Sequence, residues 1–404
     1  MTNTPANKPE TLLAPAFDDE AGWQQVAGYF PSRDPAQINL EHGYFGAMAA
    51  PVQAALDAGT RFVNEKLSPY VRGEFASHVD ALREQLAHLI HAERDEILLT
   101  RSASESMQVL IGQYHELQAG DAVLWSNLDY PAMRHGMQWL EQRRGVTGVE
   151  LRIELPISGA ALLDRYLKAI QDTPNLKLIL LSQVYPCNGQ RPSVREIIAA
   201  ARAKGIDVLL DSAHALGQVP LDVQELGVDF AGFNLHKWIG APLGLGFTYI
   251  RKSRLASIEA HFGCQDFPAY DIRGRLYAGT PSIGAVLAVP AALAFHERLG
   301  GTTGKFARLA YLRRYWMSRA AAIPGVRLFS PRDDEHASAL GSFTVDGLSA
   351  QELQEALLRR FGIFTVVRDL GYAQIVRETV TMIARIEELD AFVVALRSLA
   401  HAHS

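Results

Sequence analysis

The 404-residue sequence has only two cysteines, Cys187 and Cys264, and no stretch of 18 uncharged apolar residues. Two cysteines exclude a disulfide framework and a zinc ribbon, and without a long apolar stretch no transmembrane helix is expected. The net charge is only −5, so the chain has no general attraction to nucleic acid or to an anionic membrane. The first residues contain no secretory signal, and we expect a cytoplasmic protein.

Several motifs of common enzyme classes are also missing. The sequence contains no HExxH zinc motif, no GxxxxGK[S/T] phosphate loop and no GxSxG nucleophile motif, which disfavours metalloproteases, P-loop nucleotide hydrolases and α/β-hydrolases. The glycine-rich run IGAPLGLG is too short and misplaced for a dinucleotide fingerprint. No bound metal is expected.

Apolar segments of two kinds alternate along most of the chain. Short runs such as LKLILLS and DVLLD are typical of strands buried on both faces, and amphipathic helical patterns lie between them. This alternation predicts an α/β fold with a mostly parallel, seven-stranded sheet and a smaller α+β domain. We expect a mobile arm over residues 1–19, a small domain built from 20–49 and 291–404, and a large domain over 50–290.

Two charged residues end neighbouring strands of the predicted sheet. Asp211 follows the apolar run DVLL, and Lys237 comes three residues after the run DFAGFN. Ligands of parallel sheets bind at these carboxyl ends, and a buried carboxylate and a buried amine are each costly without a partner. Pyridoxal 5′-phosphate satisfies both, because its aldehyde bonds covalently to a lysine and its ring nitrogen pairs with a carboxylate. The two residues therefore predict this cofactor.

The segments DSAHALGQ and NLHKW resemble fold-type I pyridoxal-phosphate enzymes of the class V aminotransferase family. The match is most similar to the isopenicillin N epimerase-like branch, and it extends from about residue 36 to residue 400. It implies that Lys237 binds the cofactor covalently and acts as the base. It also implies that Asp211 holds the ring nitrogen and that His214 lies near the 3′-oxygen as a further catalytic residue.

The resemblance implies other cofactor contacts as well. The phosphate would be bound at the start of the helix in TRSASESM and by two residues beside the lysine, and a ring in NLDYPAM would stack on the cofactor. The threonine of YAGTPSIG would reach the phosphate of the other subunit's cofactor, which predicts a homodimer with shared active sites. The residues concerned are Ala103, Ser104, Asn234, His236, Tyr130 and Thr280.

The resemblance assigns the substrate α-carboxylate to Arg377, which precedes Asp390 by the thirteen residues that the family shows. A guanidinium group can bind a carboxylate with two parallel hydrogen bonds, which explains the residue type. Weaker candidates for the substrate pocket are Asn39, Phe45 and Arg72. Relatives often carry an asparagine where this chain has Pro186, so the roles of the neighbouring Cys187 and Asn188 stay open.

The expected reaction starts at the α-carbon of an amino acid or a related amine. Transamination is the preferred prediction, and epimerisation, racemisation or β-lyase (C–S lyase) chemistry share its first steps. A cysteine desulfurase is not expected, because no cysteine follows Cys264 to accept the sulfur. The non-enzyme alternative is a scaffold of this fold without turnover, which the intact pair of Asp211 and Lys237 disfavours.

Overall fold

The computed structural model describes residues 13–32, 34 and 36–402. Its centre is a seven-stranded sheet in the order β2-β8-β7-β6-β5-β3-β4, in which β8 runs antiparallel to the other strands. The buried runs read from the sequence form most of these strands, because apolar residues on both faces need a helix layer on each side. The seven strands are β2 (Ile97–Thr100), β3 (Ala122–Ser126), β4 (Thr147–Leu151), β5 (Leu176–Ser182), β6 (Asp207–Asp211), β7 (Phe230–Asn234) and β8 (Gly246–Ile250).

Helices cover this sheet and connect its strands. Two of these helices begin at a serine whose hydroxyl group accepts a hydrogen bond from a backbone amide of the first turn: Ser102 caps α4 and Ser158 caps α6. The helices before, within and just after the sheet are α1 (Glu20–Ala27), α2 (Ala50–Gly73), α3 (Phe75–Ile90), α4 (Ala103–Gln113), α5 (Pro131–Arg144), α6 (Gly159–Asp172), α7 (Val194–Ala203), α8 (Val223–Leu226) and α9 (Ile283–Arg298).

A second, antiparallel sheet follows with the order β12-β13-β10-β9, packed against three further helices. Its own core centres on Trp316, Phe343 and Phe392, whose rings lie 5.3–6.1 Å apart. The elements are α10 (Gly301–Ala320), β9 (Val326–Leu328), β10 (Leu340–Val345), α11 (Ala350–Phe361), β11 (Ile363–Phe364), β12 (Val366–Asp369), β13 (Gln374–Thr379) and α12 (Ile386–Ala402). The predicted arm over residues 1–19 lies mostly outside the described residues.

A short N-terminal strand, β1 (Ile38–Asn39), pairs in parallel with β11 and carries the following residues toward the end of the large sheet. There the amide of Gly46 donates a hydrogen bond of 2.8 Å to the carbonyl of His236. Residues far apart in sequence thus meet at one site.

Among the described residues, no single helix is long and apolar enough to cross a membrane. The pair α9 and α10, bent by 63° at its break, passes by length and composition only.

Candidate functional site

The carboxyl ends of β6 and β7 bring the central predicted residues together. Asp211 is the last residue of β6, and Lys237 follows β7 after a short turn. The lysine Nζ lies 3.0 Å from Nε2 of His214. One carboxylate oxygen of Asp211 accepts a hydrogen bond of 3.0 Å from the Ala213 amide. A carboxyl, an imidazole and an amine are therefore buried together at the strand tips.

Burial sets the protonation of this cluster. It lowers the pKa of Lys237 to about 8, against the opposing effect of Asp211. It lowers the pKa of His214 well below its usual value, and the nearby Lys237 lowers it further. Burial also raises the pKa of Asp211, while its bond from Ala213 and the charge of Lys237 oppose this rise. His214 is therefore a neutral imidazole, and Lys237 can be a neutral amine near physiological pH.

The predicted phosphate-binding residues surround the start of α4. The amide of Ala103 donates a hydrogen bond of 2.8 Å to the side-chain oxygen of Asn234, so that amide is already used. Ser104, the next residue, is half-buried at the same helix start, where the helix dipole favours an anion. His236 bonds the Leu245 carbonyl through Nδ1 at 2.9 Å. Of the two predicted helix residues, Ala103 therefore has its amide bonded within the chain, and Ser104 follows it in the first turn of α4.

Tyr130 and Thr280 lie on exposed segments. Tyr130 is 45% exposed and stands at the start of α5, in the turn that follows β3. Thr280 lies in the exposed loop that leads into α9. Neither position tests the predicted contact to the cofactor or to a second subunit, and both contacts stay predictions.

Arg377 does not offer a free guanidinium group. On β13, it is 1% exposed, and its Nη2 donates to both carboxylate oxygens of Glu41 at 2.6 Å. Its Nη1 donates to the carbonyl of Pro186, also at 2.6 Å. Among the described residues, the Nε of Arg377 is buried and has no hydrogen-bond partner, so one face of the guanidinium group is not taken by Glu41. That Arg377 binds the substrate carboxylate stays a prediction from the family resemblance.

A cavity of about 310 Å³ adjoins Lys237 and contains two of the weaker substrate candidates. Asn39 and Phe45 line it, together with Glu41 and the buried Lys305. Arg72 is exposed in the last turn of α2 and is not among the residues that line this cavity. A larger cavity of about 480 Å³ lies at the opposite, amino ends of β5 and β6 and contains none of the predicted site residues.

Three functional candidates escaped the sequence analysis. Glu41 lies beside Arg377 as described, and Arg368 on β12 lies close enough to lower the pKa of Lys237 and His214. Asp129 accepts hydrogen bonds from the Ser182 amide and hydroxyl and ties β3 to β5. Burial raises its pKa to about 7. The sequence could have indicated all three, because each is a charged residue in a segment that is otherwise apolar or that borders the site.

The structure also clarifies Cys187 and Asn188. Asn188 is fully buried, and its side chain bonds the Phe329 carbonyl at 3.0 Å and the Gln190 amide at 3.1 Å. It therefore shapes its own loop and does not replace the missing asparagine. Burial raises the pKa of Cys187 to about 12, so this residue is a protonated thiol.

These residues fit the predicted cofactor. Lys237 and Asp211 lie at neighbouring strand tips, and a helix start suited to phosphate faces the same end of the sheet. Within the described residues, Nδ1 of His214 is buried and has no hydrogen-bond partner. A buried polar atom without a partner is unusual, and the position of this one beside Lys237 is consistent with a ligand bound there.

Comparison with known proteins adds the family. The aminotransferase class-V profile matches residues 63–373. A cysteine desulfurase of Yersinia pseudotuberculosis serotype IB (strain PB1/+) is 28% identical over 327 residues, which cover 74% of this chain and 79% of that protein. A cysteine desulfurase of Yersinia pestis (strain Pestoides F) matches with the same identity and coverage.

Solved structures show the same fold. The cysteine desulfurase CsdA from Escherichia coli superposes with a TM-score of 0.79 and 22% identity, covering 95% of this chain and 99% of that one. The cystine C–S lyase C-DES, in complex with its reaction product cysteine persulfide, superposes with a TM-score of 0.78 and 21% identity, covering 90% and 97%. The predicted α/β fold with a mostly parallel sheet is confirmed.

The prediction of transamination, with cysteine desulfurase activity excluded, is wrong. The curated relatives reported above, which match over 74% of the chain, are cysteine desulfurases. The exclusion assumed that sulfur must pass to a cysteine late in the chain. C-DES has the same fold and releases sulfur as cysteine persulfide, a small molecule, so the absence of a cysteine after Cys264 does not exclude sulfur chemistry.

The family match covers the strand tips and most of the elements that surround them. Enzymes of this family use pyridoxal 5′-phosphate, so the predictions of an enzyme and of this cofactor are confirmed with the family. The chain is a fold-type I pyridoxal-phosphate enzyme and belongs to the aminotransferase class V family.

Proposed function

We propose that the protein removes sulfur from cysteine, with pyridoxal 5′-phosphate held on Lys237 and a small thiol as the sulfur acceptor. One cysteine and one acceptor thiol give one alanine and one persulfide. The carbon–sulfur bond of cysteine breaks, a sulfur–sulfur bond forms, and the β-carbon gains a proton. The observation that carries this proposal is the buried contact of 3.0 Å between Lys237 and His214 beside Asp211, in a chain 28% identical to cysteine desulfurases.

The residues around Lys237 have complementary roles in this proposal. When bound, the cofactor supplies an aldehyde for the substrate amine and a ring that draws electrons from the α-carbon. Asp211 holds the proton on the ring nitrogen. Lys237, whose pKa is about 8, accepts the proton from the α-carbon as a neutral amine. Neutral His214 bonds Lys237 at 3.0 Å and keeps the amine directed into the site.

The remaining site residues would bind the phosphate and the ring. Ser104 and His236 hold the phosphate at the start of α4, and Asn234 caps this helix through the Ala103 amide. Tyr130, at the start of α5, stacks on the ring. Ala103 contributes as part of the helix start, although its amide bonds Asn234.

The acceptor thiol comes from solution in this proposal. Cys187 is buried and protonated, with a pKa raised to about 12, so it is a poor sulfur acceptor.

A homodimer is also proposed, since Phe262 is 95% and Tyr270 is 83% exposed on the segment before Thr280. Thr280 of the partner subunit would then reach the phosphate. The epimerase-like branch, the domain boundaries and a cytoplasmic address stay predictions.

Product analysis tests the proposal. Holoenzyme is mixed with L-cysteine and dithiothreitol, and sulfide, alanine, pyruvate and ammonia are measured. We expect equal amounts of sulfide and alanine. Pyruvate and ammonia in place of alanine, or a keto acid that retains sulfur, would contradict the proposal.

Two matched lysine variants show whether the reaction depends on the site. Lys237→Ala should lower sulfide release by at least about 100-fold, because it removes both the cofactor bond and the base. Lys252→Ala changes an exposed lysine and should keep the wild-type rate. Equal rates in both variants would refute the role of Lys237.

A further inference from the structure

The backbone around Lys237 is held on both sides by segments that are distant in sequence. On the N-terminal side, the His236 carbonyl accepts a hydrogen bond of 2.8 Å from the Gly46 amide. On the C-terminal side, the Trp238 carbonyl accepts a hydrogen bond from Nζ of Lys305, which lies on α10. The residues before and after the lysine are therefore each bonded to another part of the fold.

Lys305 is itself held by a histidine on the preceding helix. Its Nζ lies 3.1 Å from Nδ1 of His296 on α9, and Nε2 of His296 lies 3.3 Å from the hydroxyl of Thr302. Burial, and then the charge of Lys305, lower the pKa of His296 well below its usual value, so its ring is neutral. A neutral imidazole has one N–H and one acceptor nitrogen. Both contacts are satisfied when Nε2–H donates to Thr302 and Nδ1 accepts from Lys305.

These contacts suit an amine with or without its charge. Lys305 is 2% exposed, and burial lowers its pKa to about 7, against the opposing charge of Glu297. A neutral amine has two N–H groups, and the bonds to Trp238 and His296 use both of them. Lys305 can therefore donate to the Trp238 carbonyl in either protonation state.

The corner between α9 and α10 brings the two side chains together. His296 lies in the last turn of α9, and Lys305 lies near the start of α10. Between them Gly300 and Gly301 have φ angles of 82° and 60°, which glycine adopts without strain, and the two helices are bent by 63°. The packing of this corner is thus connected directly to the backbone beside Lys237.

We propose that Lys305 is a positioning residue, whose hydrogen bond to the Trp238 carbonyl holds the lysine loop, residues 235–241, in the place where the amine of Lys237 reaches the cofactor and the substrate α-carbon. This inference rests on the proposed function only in taking Lys237 as the residue that bonds the cofactor and accepts the α-proton. Such steps depend steeply on geometry, and a displacement of about 1 Å can lower a rate by about 100-fold.

The test follows two reactions of Lys237 that do not require sulfide release. The first is the capture of pyridoxal 5′-phosphate by full-length apoprotein, measured by visible absorbance. The second is exchange of the α-proton of L-alanine by the holoenzyme in D₂O, measured by NMR. We expect Lys305→Met to slow both, and to slow the exchange by about 10- to 100-fold. The apparent KM for L-alanine should stay near its wild-type value, since the change acts on the base and not on substrate contacts.

Three further variants separate positioning from a general loss of stability. Lys305→Arg keeps an N–H donor at this place and should recover most of the exchange rate. His296→Leu removes one of the two partners of Lys305, and we expect a smaller loss in the same direction. Arg313→Met is the matched control, because Arg313 is buried on the same helix but bonds the Pro331 carbonyl and Asp334. It should lower the urea midpoint and keep both rates.

Two results would overturn the proposal. The first is a wild-type exchange rate in Lys305→Met, or in His296→Leu should Lys305→Met fail to fold. The second is an equal slowing in Arg313→Met, which would show that any loss of stability in α10 has the same effect. A wild-type enzyme that exchanges the α-proton of L-alanine but releases no sulfide from cysteine would contradict the proposed function and leave this inference standing.

Discussion

Gly46→Ala is a direct test of how the N-terminal segment holds the lysine loop. The amide of Gly46 donates to the His236 carbonyl at 2.8 Å, and a methyl group on its α-carbon would lie 2.1 Å from the carbonyl oxygen of Lys237. Real contacts of this kind stay beyond 3.0 Å, so the two backbones must separate. Such overpacking costs on the order of 1–3 kcal/mol, and loss of the hydrogen bond adds about 1 kcal/mol.

The assay follows urea unfolding by tryptophan fluorescence and cofactor release by visible absorbance. We expect Gly46→Ala to lower the unfolding midpoint and to release the cofactor faster, because the displaced carbonyl belongs to Lys237 itself. Gly112→Ala is the control: no atom lies within 4 Å of an added methyl group in α4, and we expect a gain of about 0.5–1 kcal/mol. Wild-type midpoint and release rate in Gly46→Ala would refute the close contact.

Three further predictions concern titration and thiol chemistry. The rate at which apoprotein captures pyridoxal 5′-phosphate should rise with pH and level off above about pH 8, since only the neutral Lys237 amine reacts; a rise continuing to pH 10 would contradict the lowered pKa. Burial lowers the pKa of Lys305 to about 7, below its value in the unfolded chain, so the unfolded state binds more protons and stability rises with pH above 7. Lys305→Met should remove up to about 1.4 kcal/mol per pH unit from that slope, measured by urea unfolding at pH 7–9, and an unchanged slope would refute it. Cys187→Ala should keep sulfide release within about twofold of wild type, because a protonated, buried thiol accepts no sulfur; loss of the reaction would place the acceptor at Cys187.

Most elements of the large sheet could be predicted from local patterns. The apolar runs at 122–126, 176–182, 207–211 and 230–234 coincide with β3, β5, β6 and β7. Strand β13 was missed because QIVRET carries charged residues at two of six positions, although Arg377 and Glu378 are both buried. Charged residue types on a buried strand contradict the ordinary pattern. Arg377 is accommodated there by Glu41 and by the Pro186 carbonyl, and burial raises the pKa of Glu378 well above its usual value, so that this carboxyl is uncharged.

The part of the site that lies directly at the strand ends could be predicted from the sequence. Asp211 and Lys237 each follow an apolar run, and parallel pairing of β6 and β7 brings their ends to one edge. The reaction was predicted wrongly, since a missing cysteine late in the chain was given more weight than the shared site. The position of a cysteine in the chain is weak evidence about the reaction when a small molecule can carry the sulfur away.

The sequence by itself determined the alternation of buried strands and amphipathic helices, and with it the edge where the carboxylate and the amine meet. Both depend on local periodicity and on backbone pairing. The tertiary structure alone decided that Glu41, 336 residues before Arg377, accepts two hydrogen bonds from Nη2 of Arg377. A guanidinium group binds any carboxylate of suitable geometry. Whether that carboxylate belongs to the chain or to the substrate depends on contacts between distant segments, which no sequence spacing records.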